Sequence, residues 1–278
     1  MRPATQPTGR LGLHGRRDPL VPVFGVAGAV LLLFVLLPLL QTLVSSPPGR
    51  FLETVLDPEV LSSLGLTFYA GTVATALAMV TGVPLAYLLA RYEFPGKPWV
   101  EGIVQLPVVV PHTAAGIALL MVFGRQAAVG QAFEALGIRF VDAVPGIVVG
   151  MLFVGLPFLV NGAREAFALV DPDLEQVAAT EGASRWQAFI HVTLPQAKRG
   201  ILSGALLMWG RGISEFGAVI ILAYHPRIVP VLVYERFIGF GLSAAQPVAA
   251  LLLLASLLVF LLLRVVVRPS APAGATKG

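Results

Sequence analysis

The chain of 278 residues contains no cysteine, which excludes disulfide scaffolds, thiolate metal sites and cysteine nucleophiles. Charge is also scarce: Asp, Glu, Lys and Arg make up 12% of the sequence, against about a quarter in soluble domains. No Gly-x-x-x-x-Gly-Lys-Ser/Thr phosphate loop occurs, so the chain does not cradle ATP in that way. No soluble domain interrupts the apolar pattern. No internal repeat is evident either, which speaks against the inverted repeats of many secondary transporters.

What the sequence has in excess is apolar surface, with 56% hydrophobic residues. These residues gather into six runs, at about Leu20–Val44, Leu61–Ala90, Ile103–Phe123, Val144–Leu159, Ile201–Ala223 and Val248–Leu263. A helix needs about 20 apolar residues to cross a hydrocarbon core. The expectation is an all-α polytopic membrane protein with six transmembrane helices. The second run exceeds what one span requires, which predicts tilt or a start outside the membrane. The fourth is short and should recruit Asn161 and Gly162.

The net charge of +4 comes from basic residues flanking the runs. They read as topology determinants and not as a nucleic-acid surface. Arg2, Arg10, Arg16 and Arg17 precede the first run, which is too long for a signal-peptide core and lacks an A-x-A site, so a retained first helix is expected. One side collects those arginines with Arg91, Lys97, Arg164, Arg185, Lys198, Arg199, Arg264, Arg268 and Lys277. The other side holds Arg50, Arg125, Arg139, Arg227 and Arg236. This asymmetry puts both termini in the cytoplasm. The domains expected are a cytoplasmic tail over 1–19, a membrane domain over 20–268 with a cytoplasmic loop at about 164–199, and a disordered tail over 269–278.

Within that loop, Asp171 is a candidate N-cap with Pro172 at the first helical position. Leu174, Val177 and Ala178 follow on one face. Gly182 suits a left-handed helix end, and Ser184 with Gln187 forms a capping-box pattern. The second helix should present Trp186, Phe189 and Ile190 and end at Leu194-Pro195. A pair of helices lying on the membrane surface would fit the same pattern. Asp171, Asp173, Glu175 and Glu181 count against that, because an anionic leaflet repels them. Docking of a soluble partner is favoured.

The run from Glu175 through Gly182, closed by Leu194-Pro195, resembles the EAA loop of ATP-binding-cassette importer permeases. The family pattern is Glu-Ala-Ala, three residues, Gly, then a spacer and Ile-x-Leu-Pro. Aligned on Gly182, this chain has Gln176, Val177 and Ala178 at the first three positions, with Glu175 one step earlier. Val192 stands for the isoleucine. Resemblance implies that Leu174, Glu175, Gln176, Val177, Ala178, Ala179, Gly182, Ala183, Ser184, Trp186, Leu194 and Pro195 couple to a cassette ATPase. Leu106 to Leu120, with its Pro111-His112-Thr113, resembles the third-span signature of molybdate and tungstate permeases, which carries Pro-Pro-Thr. Arg211 to Val219 resembles their Gly-Glu-Phe-Gly-Ala segment, with Ser214 for the first glycine. Tyr234 to Phe237 and Gly241 to Ala245 resemble the tungstate type, and sulfate permeases share much of the pattern. The resemblance implies a type I importer permease fold in a prokaryotic cytoplasmic membrane. It implies as partners a second copy of the chain, a dimeric cassette ATPase that carries ATP and Mg, and an external oxyanion-binding protein. No cofactor or metal is expected on this chain itself, and no nucleic-acid partner.

Pro111, His112, Thr113, Arg211, Ser214 and Glu215 are the candidate translocation-path or gate residues. Arg211 and Glu215 lie one turn apart in an apolar run, where each costs about 2.5–3.5 kcal/mol. They border the path, or they form a buried ion pair that holds helices together. Ser214 and Thr113 offer hydroxyls to an oxyanion or bond a carbonyl one turn back. His112 is expected as a hydrogen-bonded structural histidine more than a proton relay. It is too far from His191 in topology to share a metal. Pro107 and Pro111 should kink the third span. Gly210, Gly212 and Gly217 should admit close helix approach. A secondary transporter or channel would need coupling carboxylates in several spans, and only Glu215 lies deep. An intramembrane enzyme would need more than Ser214 with His112.

Overall fold

A computed structural model describes residues 20–267, so the tails expected over 1–19 and 269–278 lie outside the described residues. The chain divides into two units, residues 1–45 and 46–278. The first contains α1 (Leu20–Val44), a 25-residue helix of mean hydropathy 2.8. Its apolar side chains lie on every face, as suits a helix surrounded by lipid.

The second unit begins with α2 (Pro48–Leu56) and α3 (Pro58–Arg91). Asp57 starts α3 by accepting a hydrogen bond from the Glu59 amide at 2.9 Å, with Pro58 at the first position. At 34 residues, α3 is about 50 Å long at 1.5 Å per residue, more than a bilayer core requires. The third apolar run is not one straight span. It forms α4 (Lys97–Val109) and α5 (His112–Phe123), bent by 116° at the break. Pro111 is the cause: it lacks an amide hydrogen and keeps Val110 out of the helical region. Pro107 stays buried inside α4.

After the short α6 (Ala128–Glu134) comes α7 (Val144–Ala168), which absorbs Asn161 and Gly162 as expected and runs to Ala168. Next are α8 (Pro172–Thr180), α9 (Arg185–Ala188) and a π-helical turn over Phe189–Thr193. α10 (Leu194–Ile213) follows without a break. The expectation that Leu194-Pro195 ends a helix is therefore corrected: Pro195 sits in the first turn of α10, directly after the π-helical turn, and the chain stays helical through it. The fifth apolar run also stops early, at Ile213, and resumes as α11 (Gly217–Leu222). α12 (Val229–Phe240) and α13 (Leu242–Val267) complete the described chain.

Four of these helices are long and apolar enough to cross a membrane, or five if the bent α4–α5 pair counts as one span. The expected sixth corresponds to α10, whose 20 residues include Lys198, Arg199 and Arg211. Those charges lower its hydropathy.

The core joins α3, α7 and α10 through Ala86, Leu89, Leu159, Val160, Phe167, Ile201 and Met208, all buried. Helices in lipid gain little from apolar burial and associate by close van der Waals packing over small residues. Gly162 and Gly204 supply the closest approach: a Cβ on Gly162 would lie 2.9 Å from the Gly204 Cα. One turn away, a Cβ on Gly200 would overlap the Ala166 methyl. Gly200→Leu is expected to cost about 3 kcal/mol, the upper end for overpacking. Thermal melting of the detergent-purified protein reads this as a lower midpoint, and an unchanged midpoint would refute the packing argument. Gly210, by contrast, faces open space, so the expected close approach there does not occur.

Candidate functional site

Two polar constellations stand out from the apolar body. One lies where the breaks in the third and fifth apolar runs meet; the other is the α8–α9 loop.

At the first, the α10–α11 break exposes helix-end amides that need partners. Glu215 supplies one: its Oε1 accepts from the Ala218 amide at 2.9 Å. Its Oε2 lies 2.9 Å from Arg211 Nη2 and 3.1 Å from His112 Nδ1. The same guanidinium nitrogen is 2.9 Å from His112 Nε2. It is also 2.8 Å from His112 Nδ1, so the imidazole lies against both the guanidinium and the carboxylate. Glu215 is fully buried, whereas the side chains of Arg211 and His112 are 23% and 38% exposed. The carboxylate therefore sits behind the cationic group, which reaches the surface. Ser214 Oγ donates to the Arg211 carbonyl at 2.9 Å and accepts from Arg211 Nη1 at 3.3 Å. Thr113 is exposed one residue beyond His112.

Glycine makes this meeting possible. A Cβ on Gly217 would come 2.8 Å from His112 Cβ, and one on Gly116 would come 2.9 Å from the Ala218 carbonyl oxygen. The structure thus brings together His112, Arg211, Ser214 and Glu215, with Pro111 as the N-cap residue of α5. Glu215 is both a helix-capping group and a counter-ion.

In the loop, the local rules hold. Asp171 Oδ1 accepts from the Asp173 amide at 3.0 Å. Gly182 adopts φ +88, a conformation that strains any residue with a Cβ. Ser184 and Gln187 form a reciprocal capping box, at 2.8 and 3.3 Å. Leu174, Val177 and Trp186 are 40%, 58% and 69% exposed, an apolar strip on an otherwise polar loop. Gln176, Ala179, Gly182, Ser184 and Pro195 are also exposed, and Ala178 and Ala183 are half-buried. Two candidates face elsewhere. Leu194 packs against the α3–α7–α10 core. The Glu175 carboxylate turns inward, to Arg91, Tyr87 and Thr193.

Several contributors were not singled out from the sequence. Gln105 donates to Asn161 at 2.8 Å and Arg164 to Glu101 at 2.7 Å, fastening α4 to α7. At the end of α3 remote from Arg91, Arg236 pairs with Asp57 at 2.6 Å and Arg227 with Glu59 at 2.5 Å. The Asp57-Pro58 pair repeats the Asp171-Pro172 capping signature and could have marked this end. The Arg236 hydrogen bond holds the Asp57 carboxyl below the usual carboxylate range. A depressed acid stabilises the fold above its unfolded-state pKa and loses that contribution as pH falls through its folded-state value. Asp57→Asn should therefore melt below the parent at neutral pH, and the two midpoints should converge only once pH falls through the depressed folded-state value, below the ordinary 3.8. A gap that persisted there would contradict the ionic account. The Tyr224 hydroxyl's hydrogen bond to the Glu235 carboxylate raises the tyrosine above its ordinary range. Among the described residues no group of three or more His, Asp or Glu is arranged to hold a metal ion.

Helices this long and apolar, in a chain with so little charge, define a membrane-embedded protein. The chain belongs to the binding-protein-dependent transport system inner membrane component family, whose pattern matches residues 82–272. It is thus a multi-pass, non-catalytic membrane component. It is 42% identical over 251 residues to the molybdate/tungstate transport system permease protein WtpB of Pyrococcus furiosus, covering 90% of this chain and 96% of that one. Identity to the sulfate transport system permease protein CysT of Escherichia coli is 30%, over 82% and 84% of the two chains. A crystal structure of a bacterial alginate ABC transporter, in complex with a periplasmic protein bound to alginate pentasaccharide, superposes with a TM-score of 0.72 at 16% identity, covering 91% of this chain and 95% of that one. That likeness establishes the type I ABC importer permease fold.

Proposed function

We propose that this chain is the transmembrane permease subunit of an ATP-driven importer that moves tungstate or molybdate inward. The observation that carries the reading is the near end-to-end relationship to a permease named for those oxyanions, well above that to the sulfate permease. The charge chemistry agrees. Arg211 and His112, with the hydroxyls of Thr113 and Ser214, offer donors to an oxyanion passing the helix breaks. Glu215 behind them neutralises part of the cationic charge, so an anion is attracted without being trapped. Pro111 shapes the path by turning α5 away from α4.

Energy comes from a separate cassette ATPase, which holds the ATP and Mg. Its docking surface comprises Leu174, Gln176, Val177, Ala178, Ala179, the Gly182 turn, Ala183, Ser184 and Trp186, with Pro195 at the edge. Two permease copies, two ATPases and one external binding protein complete the assembly. Both termini and the loop face the cytoplasm, where Arg91, Lys97, Arg164, Arg185, Lys198 and Arg199 satisfy the positive-inside preference.

Element-resolved uptake by proteoliposomes holding the whole assembly tests the substrate. Molybdenum or tungsten should accumulate in preference to sulfur when the three oxyanions compete at equal concentration. Preferential sulfate uptake would replace this reading with the sulfate permease.

A further inference from the structure

The EAA-type resemblance makes Glu175 a docking residue, yet its carboxylate is the least available group on α8. Both oxygens are engaged from inside the subunit. Oε1 accepts from Arg91 Nε at 3.0 Å and from Thr193 Oγ1 at 2.8 Å, and Oε2 accepts from Tyr87 at 3.3 Å. Arg91 Nη2 also lies 3.0 Å from Oε1 and donates to the Val170 carbonyl at 2.8 Å, just before α8 begins. The Glu175 and Arg91 side chains are 23% and 10% exposed.

No residue of α8 is buried. Apolar burial on this helix is slight, and the polar cluster at Glu175 ties its side chains to the body of the subunit. Its partners come from two separate elements, the last turns of α3 and the π-helical turn ahead of α10. Thr193 is fully buried and Tyr87 packs on Phe167 and Phe189, so both are held firmly. α3 and α10 are also the helices that meet α7 in the core, and α10 carries Arg211 in its last turn. A displacement of α8 thus reaches α3 directly and the Arg211 break through α10.

We infer that Glu175 is a positioning residue that fastens the docking helix to α3 and to the start of α10, so that ATPase motion is transmitted through Glu175–Arg91 and Glu175–Thr193 and not absorbed by the loop. This rests on the reading that a cassette ATPase docks on α8 and α9. Glu175 itself makes no contact that the ATPase needs for binding.

The experiment uses the full assembly in proteoliposomes with molybdate as the transported probe. For Glu175→Gln, the permease should reach parental abundance and hold a parental amount of ATPase. Molybdate moved per ATP hydrolysed should fall about tenfold, within the usual range of coupling between sites. Arg91→Glu should do the same, and Arg91→Glu with Glu175→Arg should recover much of the ratio. Loss of the ATPase from Glu175→Gln alone would make Glu175 a docking contact and overturn the inference, as would a parental coupling ratio. Failure of the variant to accumulate would assign Glu175 to stability and overturn it equally. If the parent chain itself retains no ATPase, the docking reading fails as well.

Discussion

Glu215→Leu is expected to give the largest loss of any single substitution in this chain. It leaves Arg211 without its counter-ion and the Ala218 amide without its acceptor. Breaking a buried ion pair from one side costs about 3–5 kcal/mol, so folded protein should fall steeply, and uptake by whatever remains should fall with it. A double replacement separates the two roles of the pair. Arg211→Met with Glu215→Leu removes both charges and should restore much of the melting temperature, because an apolar pair of similar volume is tolerated where a lone charge is not. Uptake should stay lost, since the cation that meets the oxyanion is gone. Recovery of both stability and uptake by the double variant would make the pair purely structural.

A second large effect is expected at the loop. Val177→Asp with Trp186→Asp places charge on the two most exposed apolar side chains of the α8–α9 strip, at 58% and 69% exposure. Buried tryptophans at interfaces often carry 2 kcal/mol or more of the binding energy. The ATPase should therefore be held at least about 30-fold more weakly. Its abundance relative to permease after purification reads this directly, and uptake should vanish. The permease itself should fold normally, because neither side chain packs into the core. Retention of the ATPase at the parental ratio would move the docking surface elsewhere. Glu175→Gln offers the contrast: it should keep the ATPase and lose the coupling.

The loop was the most legible part of the sequence because its structure is decided locally. Asp171, Pro172, Gly182, Ser184 and Gln187 each act over three or four residues, and each does what its local rule requires. Leu194-Pro195 misled for the same reason. Proline stops one helix or starts the next equally well, and what decides is that Leu194 finds the α3–α7–α10 core. The apolar runs were legible in position but not in continuity. Hydropathy stays high through Val110, so it carries no sign of the 116° bend, and the dip from Arg211 to Glu215 reads as intramembrane charge, not as the α10–α11 break. The prolines and the Ser214-Glu215 pair carry those signs, once the backbone needs there are considered.

The site divides along the same line. Arg211 and Glu215 are four residues apart and pair within local reach, although α10 ends at Ile213 between them. His112 joins them across 99 positions, and Arg91 reaches Glu175 across 84. Those separations leave no local trace. Resemblance to the EAA loop placed Glu175 among the docking residues, and only the fold reveals where its carboxylate is held.

The most direct test of the whole account is molybdate accumulation in proteoliposomes prepared with the permease alone and with the complete assembly. The account predicts uphill accumulation only when the ATPase, the binding protein and hydrolysable ATP are all present. Uphill accumulation by the permease alone, driven by an ion gradient, would contradict it.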